Sequence, residues 1–199
     1  MNIDKKLYTH KTSNTTRKVV NIKNQEELAM LNKKITDLLN SQINKEFYSS
    51  YLYLDMSNYY FENNLNGFGN WFSIQAKEEH EHAVLIVKYI LNNSEKVVFE
   101  DIAAPNKQYT DFKQPLEGSL EHEILISTSI NTIYAEAYSL KDFRTMQFLD
   151  WFVKEQGEEE KNADDICKRF DLFASDARGL YLLDTELGSR VFKAPSLTI

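Results

Sequence analysis

The chain has 199 residues, enough for one domain with a substantial core. Its net charge is −7, and no apolar run approaches the ~18 residues that a membrane span needs. The acidic balance argues against nucleic acid or a membrane as partner and favours cations. Six glycines and three prolines are few, which favours long helices over short strands. The single cysteine, Cys167, fits a core position and a reducing, cytoplasmic setting.

The first residues differ in charge from the rest of the chain. Residues 1–23 hold six Lys or Arg and one acid, a balance of +5, so the remainder carries −12. The segment lacks the apolar stretch of a secretory signal, and its polar composition predicts a disordered basic tail over residues 1–24. A transit peptide is the alternative, because such peptides are also basic. Asn24 and Glu27 form a capping-box pattern, which predicts that a domain spanning 25–199 starts with a helix.

Apolar residues at helical spacing predict an all-α fold with four long helices. These cover residues 24–63, 68–92, 116–139 and about 144–170. Between the second and third, residues 93–115 have no clear period, which suits the long crossover that joins two parallel helices in some four-helix bundles. Ser175 or Asp176 could cap a short fifth helix that ends at Gly188.

Each long helix carries a glutamate inside its apolar stripe. Glu46 precedes Glu79 by 33 residues and Glu123 precedes Glu159 by 36, so the chain reads as two similar hairpins in series. Buried carboxylates are costly unless something pairs with them. Four inward carboxylates therefore predict a carboxylate-bridged pair of metal ions inside the bundle.

Glu79 and His82 lie one helical turn apart and could hold the same ion. We predict that Glu46, Glu79 and His82 bind one ion, and that Glu79 also bridges to a second ion held by Glu123 and Glu159. Gln156 lies about one turn before Glu159 and could position a ligand. This mixture of carboxylates and one imidazole suits iron or manganese, and zinc would also bind.

Several neighbours of these ligands have two interpretations. Glu78, Glu155 and Glu158 crowd negative charge beside the predicted pair, so they form either a solvated acidic face or a site for a third cation. Tyr53 and Trp151 face the same region, as core aromatics or as redox-active groups. His80 and His122 lie off the ligand stripes, which predicts surface or interface positions.

These residues resemble the bacterial non-haem ferritins. The resemblance extends roughly over residues 25–188, and its motifs are highly specific. The matching stretches are Asn44 to Ser50, Ala76 to His82, His122-Glu123, Phe148 to Trp151, Glu155 to Lys161, Gly179 to Tyr181 and Asp184 to Leu187.

The resemblance implies a ferritin-like four-helix bundle that stores iron. It implies a ferroxidase centre that oxidises Fe(II) with dioxygen or hydrogen peroxide, and a shell of 24 subunits that holds ferric mineral. The centre would comprise Glu46, Glu79, His82, Glu123, Gln156 and Glu159. A third iron site would use Glu78, Glu155 and Glu158, and Tyr53 and Trp151 would match the family's redox-active aromatics.

Differences between this chain and related protein families narrow the choice of function. Bacterioferritins carry a haem-ligating methionine where this chain has His80, so no haem is expected. Bacterioferritins, di-iron oxygenases and rubrerythrins have a second E-x-x-H motif on the fourth helix. The aligned residues here end in Glu158-Glu159 and include no histidine, which disfavours those classes. Met146 and Leu149 stand where animal ferritins line their iron channels with acids. The rivals are a di-iron oxidase that forms no cage and a non-catalytic helical assembly.

Overall fold

Two antiparallel helical hairpins make up most of the computed structural model, which describes residues 31–199. The helices are α1 Lys33–Glu62, α2 Asn66–Asn92, α3 Gln114–Leu140, α4 Phe143–Phe173 and a short α5 Ala177–Leu187. Helix α1 packs against α2, and α3 packs against α4. The predicted all-α bundle with a short fifth helix is confirmed. None of the helices in this described part has both the length and the apolar character needed to cross a membrane.

Helix α1 begins at Lys33, with Asn32 as its N-cap. The Asn32 side chain accepts a hydrogen bond from the Lys34 backbone N–H at 2.9 Å. Leu31 and Asn32 are not helical, so the prediction of one continuous helix from Asn24 is wrong at these residues. The predicted cap at Asn24 and the predicted basic tail lie outside the described residues, and the domain boundary at residue 25 stays a prediction.

The long crossover between α2 and α3 runs along α1. Near the start of α1, the Asn40 side chain accepts a hydrogen bond from the Val98 backbone N–H at 2.8 Å. Near its end, the Tyr60 hydroxyl donates to the Phe112 carbonyl at 2.6 Å. The crossover therefore travels the length of the bundle, and α3 runs parallel to α2, as predicted.

Helix α5 docks against the first turn of α2. The Asp184 carboxylate accepts hydrogen bonds from the backbone N–H groups of Gly67 at 2.7 Å and Phe68 at 3.0 Å, two donors that have no partner within their own helix. A Cβ at Gly67 would lie 1.6 Å from the Asp184 carbonyl oxygen, so only glycine permits this approach. The predicted break at 64–67 is therefore shorter, because Gly67 is already helical. Asp176, rather than Ser175, caps α5.

A polar layer separates two apolar clusters inside the bundle. The first cluster forms around the start of α1 and includes Ile35, Leu39, Ile86, Ile130 and Leu149. The second forms around the end of α1 and includes Tyr60, Phe68, Phe72, Leu116 and Ile166. The inward glutamates of all four long helices lie between these clusters along the chain. Apolar packing on both sides thus keeps water away from this layer and fixes its side chains.

Candidate metal centre

The four predicted glutamates converge in the polar layer. Glu46 is 1% exposed, Glu79 0%, Glu123 2% and Glu159 4%. Each lies in the middle of a different long helix, so the bundle brings together four carboxyl groups that are far apart in sequence. These carboxyl groups require a positive charge or hydrogen-bond donors beside them, because burying a charge without a partner is costly.

The first hairpin, α1–α2, presents buried ligand atoms that make no hydrogen bond within residues 31–199. Ligand atoms of Glu46, Glu79 and His82 all lie within 4.8 Å of one another. Gln42 donates to Glu46 Oε1 at 2.8 Å, and Gln75 donates to Glu79 Oε1 at 3.1 Å. The atoms left over are Glu46 Oε2, Glu79 Oε2 and His82 Nδ1, which are buried and make no hydrogen bond within residues 31–199, although His82 Nδ1 lies 3.4 Å from Glu79 Oε2. Three unpaired donor atoms of this chemistry are suited to a divalent cation.

In the second hairpin, α3–α4, both oxygens of the Glu123 carboxylate already accept hydrogen bonds. Tyr53 donates from its hydroxyl to Glu123 Oε1 in a short hydrogen bond. Gln156 donates from Nε2 to Glu123 Oε2 at 3.1 Å. Each Glu123 oxygen therefore accepts one hydrogen bond and keeps one further lone pair that a cation could take. Glu159 lies within one turn of Gln156 on the same helix face.

Burial and mutual repulsion raise the pKa of all four carboxyl groups. Burial, with Glu79 adding to it, raises the pKa of Glu46 to about 8. Burial, with Glu79 again adding to it, raises the pKa of Glu123 to about 8. The pKa values of Glu79 and Glu159 are raised for the same two reasons. Without a cation, this layer therefore retains protons near neutral pH, and a metal ion has to displace them.

The three residues of the predicted third site have different surroundings. Glu155 places a carboxylate oxygen within 4.8 Å of ligand atoms of His82 and Glu159. Glu78 forms an ion pair with Arg190, which follows α5. Glu158 is exposed and pairs with Lys154 at 3.4 Å. All three line one cavity of about 510 Å³, whose far wall is the C-terminal segment.

Aromatic and histidine side chains surround the layer. The Trp151 ring lies edge-on to His82 with 5.4 Å between ring centroids. His80 is exposed beside Phe47, as predicted. His122 is half-buried and lines a pocket beside α1 and the crossover, and its predicted surface or interface position stays a prediction. Burial, with a smaller contribution from Lys107, lowers its pKa to about 4.

His122 also contacts the layer itself. Its Nε2 lies 2.7 Å from the Ser49 hydroxyl, and its ring centroid lies 5.9 Å from that of Tyr53. Sequence spacing missed this contact because the residue lies one position away from the ligand stripe of α3. The hydrogen bonds that Gln42 and Gln75 donate to ligand glutamates were predictable from the sequence, since each glutamine precedes such a glutamate by four residues.

Comparison with known proteins gives one consistent result. A family model described as a Ferritin-like domain matches residues 36–173. A probable bacterial non-heme ferritin-like protein of Haemophilus influenzae is 36% identical over 165 residues, covering 83% of this chain and all of that protein. A bacterial non-heme ferritin of Campylobacter jejuni is 37% identical, covering 78% of this chain and 93% of that protein. An open pore ferritin of Archaeoglobus fulgidus aligns with a TM-score of 0.80 and 36% identity, covering 82% and 99%.

Proposed function

The chain belongs to the ferritin-like family, and we propose that it is an iron-storage protein that oxidises Fe(II) and holds the ferric product inside a multi-subunit cage. The observation that carries this proposal is the set of unpaired ligand atoms on Glu46, Glu79 and His82. Leaving buried acceptors unsatisfied costs about 1–3 kcal/mol each, so such a set is uncommon unless it serves a ligand. Iron is the substrate and cargo in this proposal, and no haem takes part.

In the proposed reaction, the first hairpin binds the first Fe(II) through Glu46, Glu79 and His82. The second Fe(II) shares Glu79 and adds Glu123 and Glu159, while Gln156 gives up or redirects its hydrogen bond. The carboxyl groups release their protons as the ions bind. Two Fe(II) ions then give two electrons to dioxygen, which leaves as hydrogen peroxide with two protons. With hydrogen peroxide as oxidant, the same two electrons and two protons yield two water molecules.

Tyr53 and Trp151 contact opposite sides of this pair site. Tyr53 binds Glu123, and Trp151 lies against His82. When only one Fe(II) is bound, one electron from either ring would complete the two that dioxygen takes up, and that ring would be left oxidised by one electron. In the same proposal, Glu155 and Glu158 line the route by which ferric iron leaves toward the cavity of the cage.

An exposed apolar surface supports assembly. Tyr51 is 50% exposed, Leu54 43%, Phe99 67% and Ile102 45%, and these side chains adjoin two shallow pockets between α1 and the crossover. An exposed patch of this kind marks an interaction surface. We propose that it contacts another copy of the chain in a homo-oligomer of 24 subunits.

The test combines iron oxidation with sizing. The protein is mixed with Fe(II) under air, the ferric product is followed by its absorbance, and the same sample is sized by light scattering and gel filtration. We expect rapid oxidation in a particle many times larger than a monomer that retains iron after desalting. Rapid oxidation by a monomer or dimer would instead favour a di-iron oxidase that forms no cage. A large particle that neither binds nor oxidises iron would favour a non-catalytic assembly.

A further inference from the structure

The C-terminal segment, residues 189–199, lies across the side of the candidate centre where Glu78, Glu155 and Glu158 line a cavity. Asn70 donates to the Arg190 carbonyl at 3.1 Å, and the Trp151 indole N–H donates to Ser196 Oγ at 3.0 Å. Leu197 packs against the first apolar cluster. Three separate contacts therefore hold this segment against the surface where Glu78 and Glu155 lie.

Arg190 brings a positive charge into the predicted third site. Its guanidinium pairs with Glu78, donates to the Trp71 carbonyl at 3.3 Å and lies over the Trp71 ring at 4.6 Å from the centroid. Both side chains of the ion pair are mostly buried, at 21% and 16% exposure for Arg190 and Glu78. An ion pair shielded from water and backed by a cation–π contact resists displacement better than a surface pair does.

We propose that Arg190 occupies the position of a third cation, so that each chain binds two metal ions tightly and admits a third only when Arg190 withdraws from Glu78. This inference rests on the proposed function, because it assumes that the pair site binds metal. A divalent cation beside Glu78 would compete with the Arg190 guanidinium for this carboxylate, and the two positive charges would repel each other. Arg190 thereby sets the number of ions in the centre, and the segment that carries it acts as a strap.

The stoichiometry of Zn(II) binding tests the inference without any redox step. Zn(II) accepts the same carboxylate and imidazole ligands and does not change its oxidation state. Isothermal titration of the full-length protein should give two tight ions per chain. Arg190→Gln should give three, because Glu78 is freed to join Glu155 beside His82. The double variant Arg190→Gln/Glu78→Gln should return to two, since the added carboxylate is lost again.

A matched control separates the position of the charge from its simple removal. Arg169 also pairs with a glutamate, Glu186, but this pair lies between α4 and α5, outside the residues that line the cavity. Arg169→Gln should therefore bind two ions. Thermal unfolding of all variants checks the fold, which we expect to persist because Arg190 lies outside every described helix.

The outcomes distinguish the inference from the proposal on which it rests. Two ions in the parent and three in Arg190→Gln support both. Two ions in each, or three in the parent, overturn the role of Arg190 while leaving the pair site in place. Fewer than two tight ions in the parent overturn the pair site and, with it, the inference.

Discussion

The two hairpins contribute unequally to the candidate centre. In hairpin α1–α2, Glu46, Glu79 and His82 have ligand atoms that make no hydrogen bond within residues 31–199, whereas Glu123 of hairpin α3–α4 accepts hydrogen bonds on both oxygens, from Tyr53 of α1 and Gln156 of α4. The first half is therefore organised for a cation before one arrives. In the second half, a cation has to share the Glu123 oxygens with the Tyr53 and Gln156 donors. The difference indicates an order of filling, in which the ion at the first hairpin binds first and more tightly.

Removal of Glu79 should have the largest effect, because it alone would serve both ions. We expect Glu79→Ala to slow initial Fe(II) oxidation by more than the ~10–100-fold that is typical when a residue supporting a ligand is lost. Glu81→Ala, two residues further along the same helix, is the matched control and should keep the parent rate. Stopped-flow absorbance measures both. Oxidation by Glu79→Ala at the parent rate would show that the centre is assigned to the wrong residues.

Two substitutions test the difference between the hairpins directly. Glu46→Ala should weaken the first, tighter ion, while Glu123→Ala should leave that ion unchanged and remove the second. Anaerobic titration with Co(II) follows the two binding steps in each variant. Equal losses of both steps in both variants would mean that the ions bind as one cooperative unit, and the proposed order of filling would then be wrong.

The pKa shifts predict how the metal-free protein responds to pH. Glu46 and Glu123 have pKa values of about 8 in the fold, above the ordinary glutamate value of 4.5. Between these values the folded state binds more protons than the unfolded state, so stability falls as pH rises from about 5 to 8. Each such group contributes at most about 1.4 kcal/mol per pH unit in this window, and about half of that at pH 8.

Thermal unfolding of the metal-free protein at pH 6 and pH 8 measures this dependence. The melting temperature should be higher at pH 6, and Glu46→Gln/Glu123→Gln should flatten the difference because two of the titrating groups are gone. Added Zn(II) should reverse the trend, since ions bind better to ionised ligands. A melting temperature that rises from pH 6 to pH 8 without metal would contradict the raised pKa values.

The sequence predicts the helices and the inward glutamates better than it predicts their partners. Glu46, Glu79, Glu123 and Glu159 are identified by helical period alone, since a stripe of apolar residues defines the buried face. The prediction of a continuous helix through residues 31 and 32 is wrong because Asn32 caps α1, and the helical period of the flanking apolar residues does not show this interruption.

Contacts between distant elements were beyond such reasoning. Arg190 follows the last predicted helix and meets Glu78 only because the Asp184 contact docks α5 on α2. His122 is half-buried because residues of α1 and the crossover form a pocket beside it, a contact that its spacing on α3 does not predict. In both cases the tertiary arrangement of the elements, and not the helical period, decides the environment of the side chain.

The smallest expected effect concerns a chain of hydrogen bonds behind the first hairpin. Lys45 donates to the Ser129 hydroxyl at 2.5 Å, Ser129 donates to Gln42 Oε1 at 2.5 Å, and Gln42 donates to Glu46 Oε1 at 2.8 Å. Gln42 is fully buried, so this chain fixes which oxygen of Glu46 remains free for a cation. These hydrogen bonds link Ser129 of α3 to Glu46 of the first hairpin, and so couple the two hairpins.

Gln42→Leu fills a similar volume and removes the donor to Glu46. We expect the affinity for the first Co(II) ion to fall about tenfold, at the low end for residues that orient a metal ligand, with little change in the second. Lys45→Met, at the exposed end of the same chain, should change the affinity by no more than about twofold, as surface substitutions generally do. The Co(II) titration described for Glu46→Ala measures both variants. If Gln42→Leu binds the first ion as tightly as the parent does, the free oxygen of Glu46 is positioned by helix packing alone, and the glutamine serves only to satisfy a buried carboxyl group.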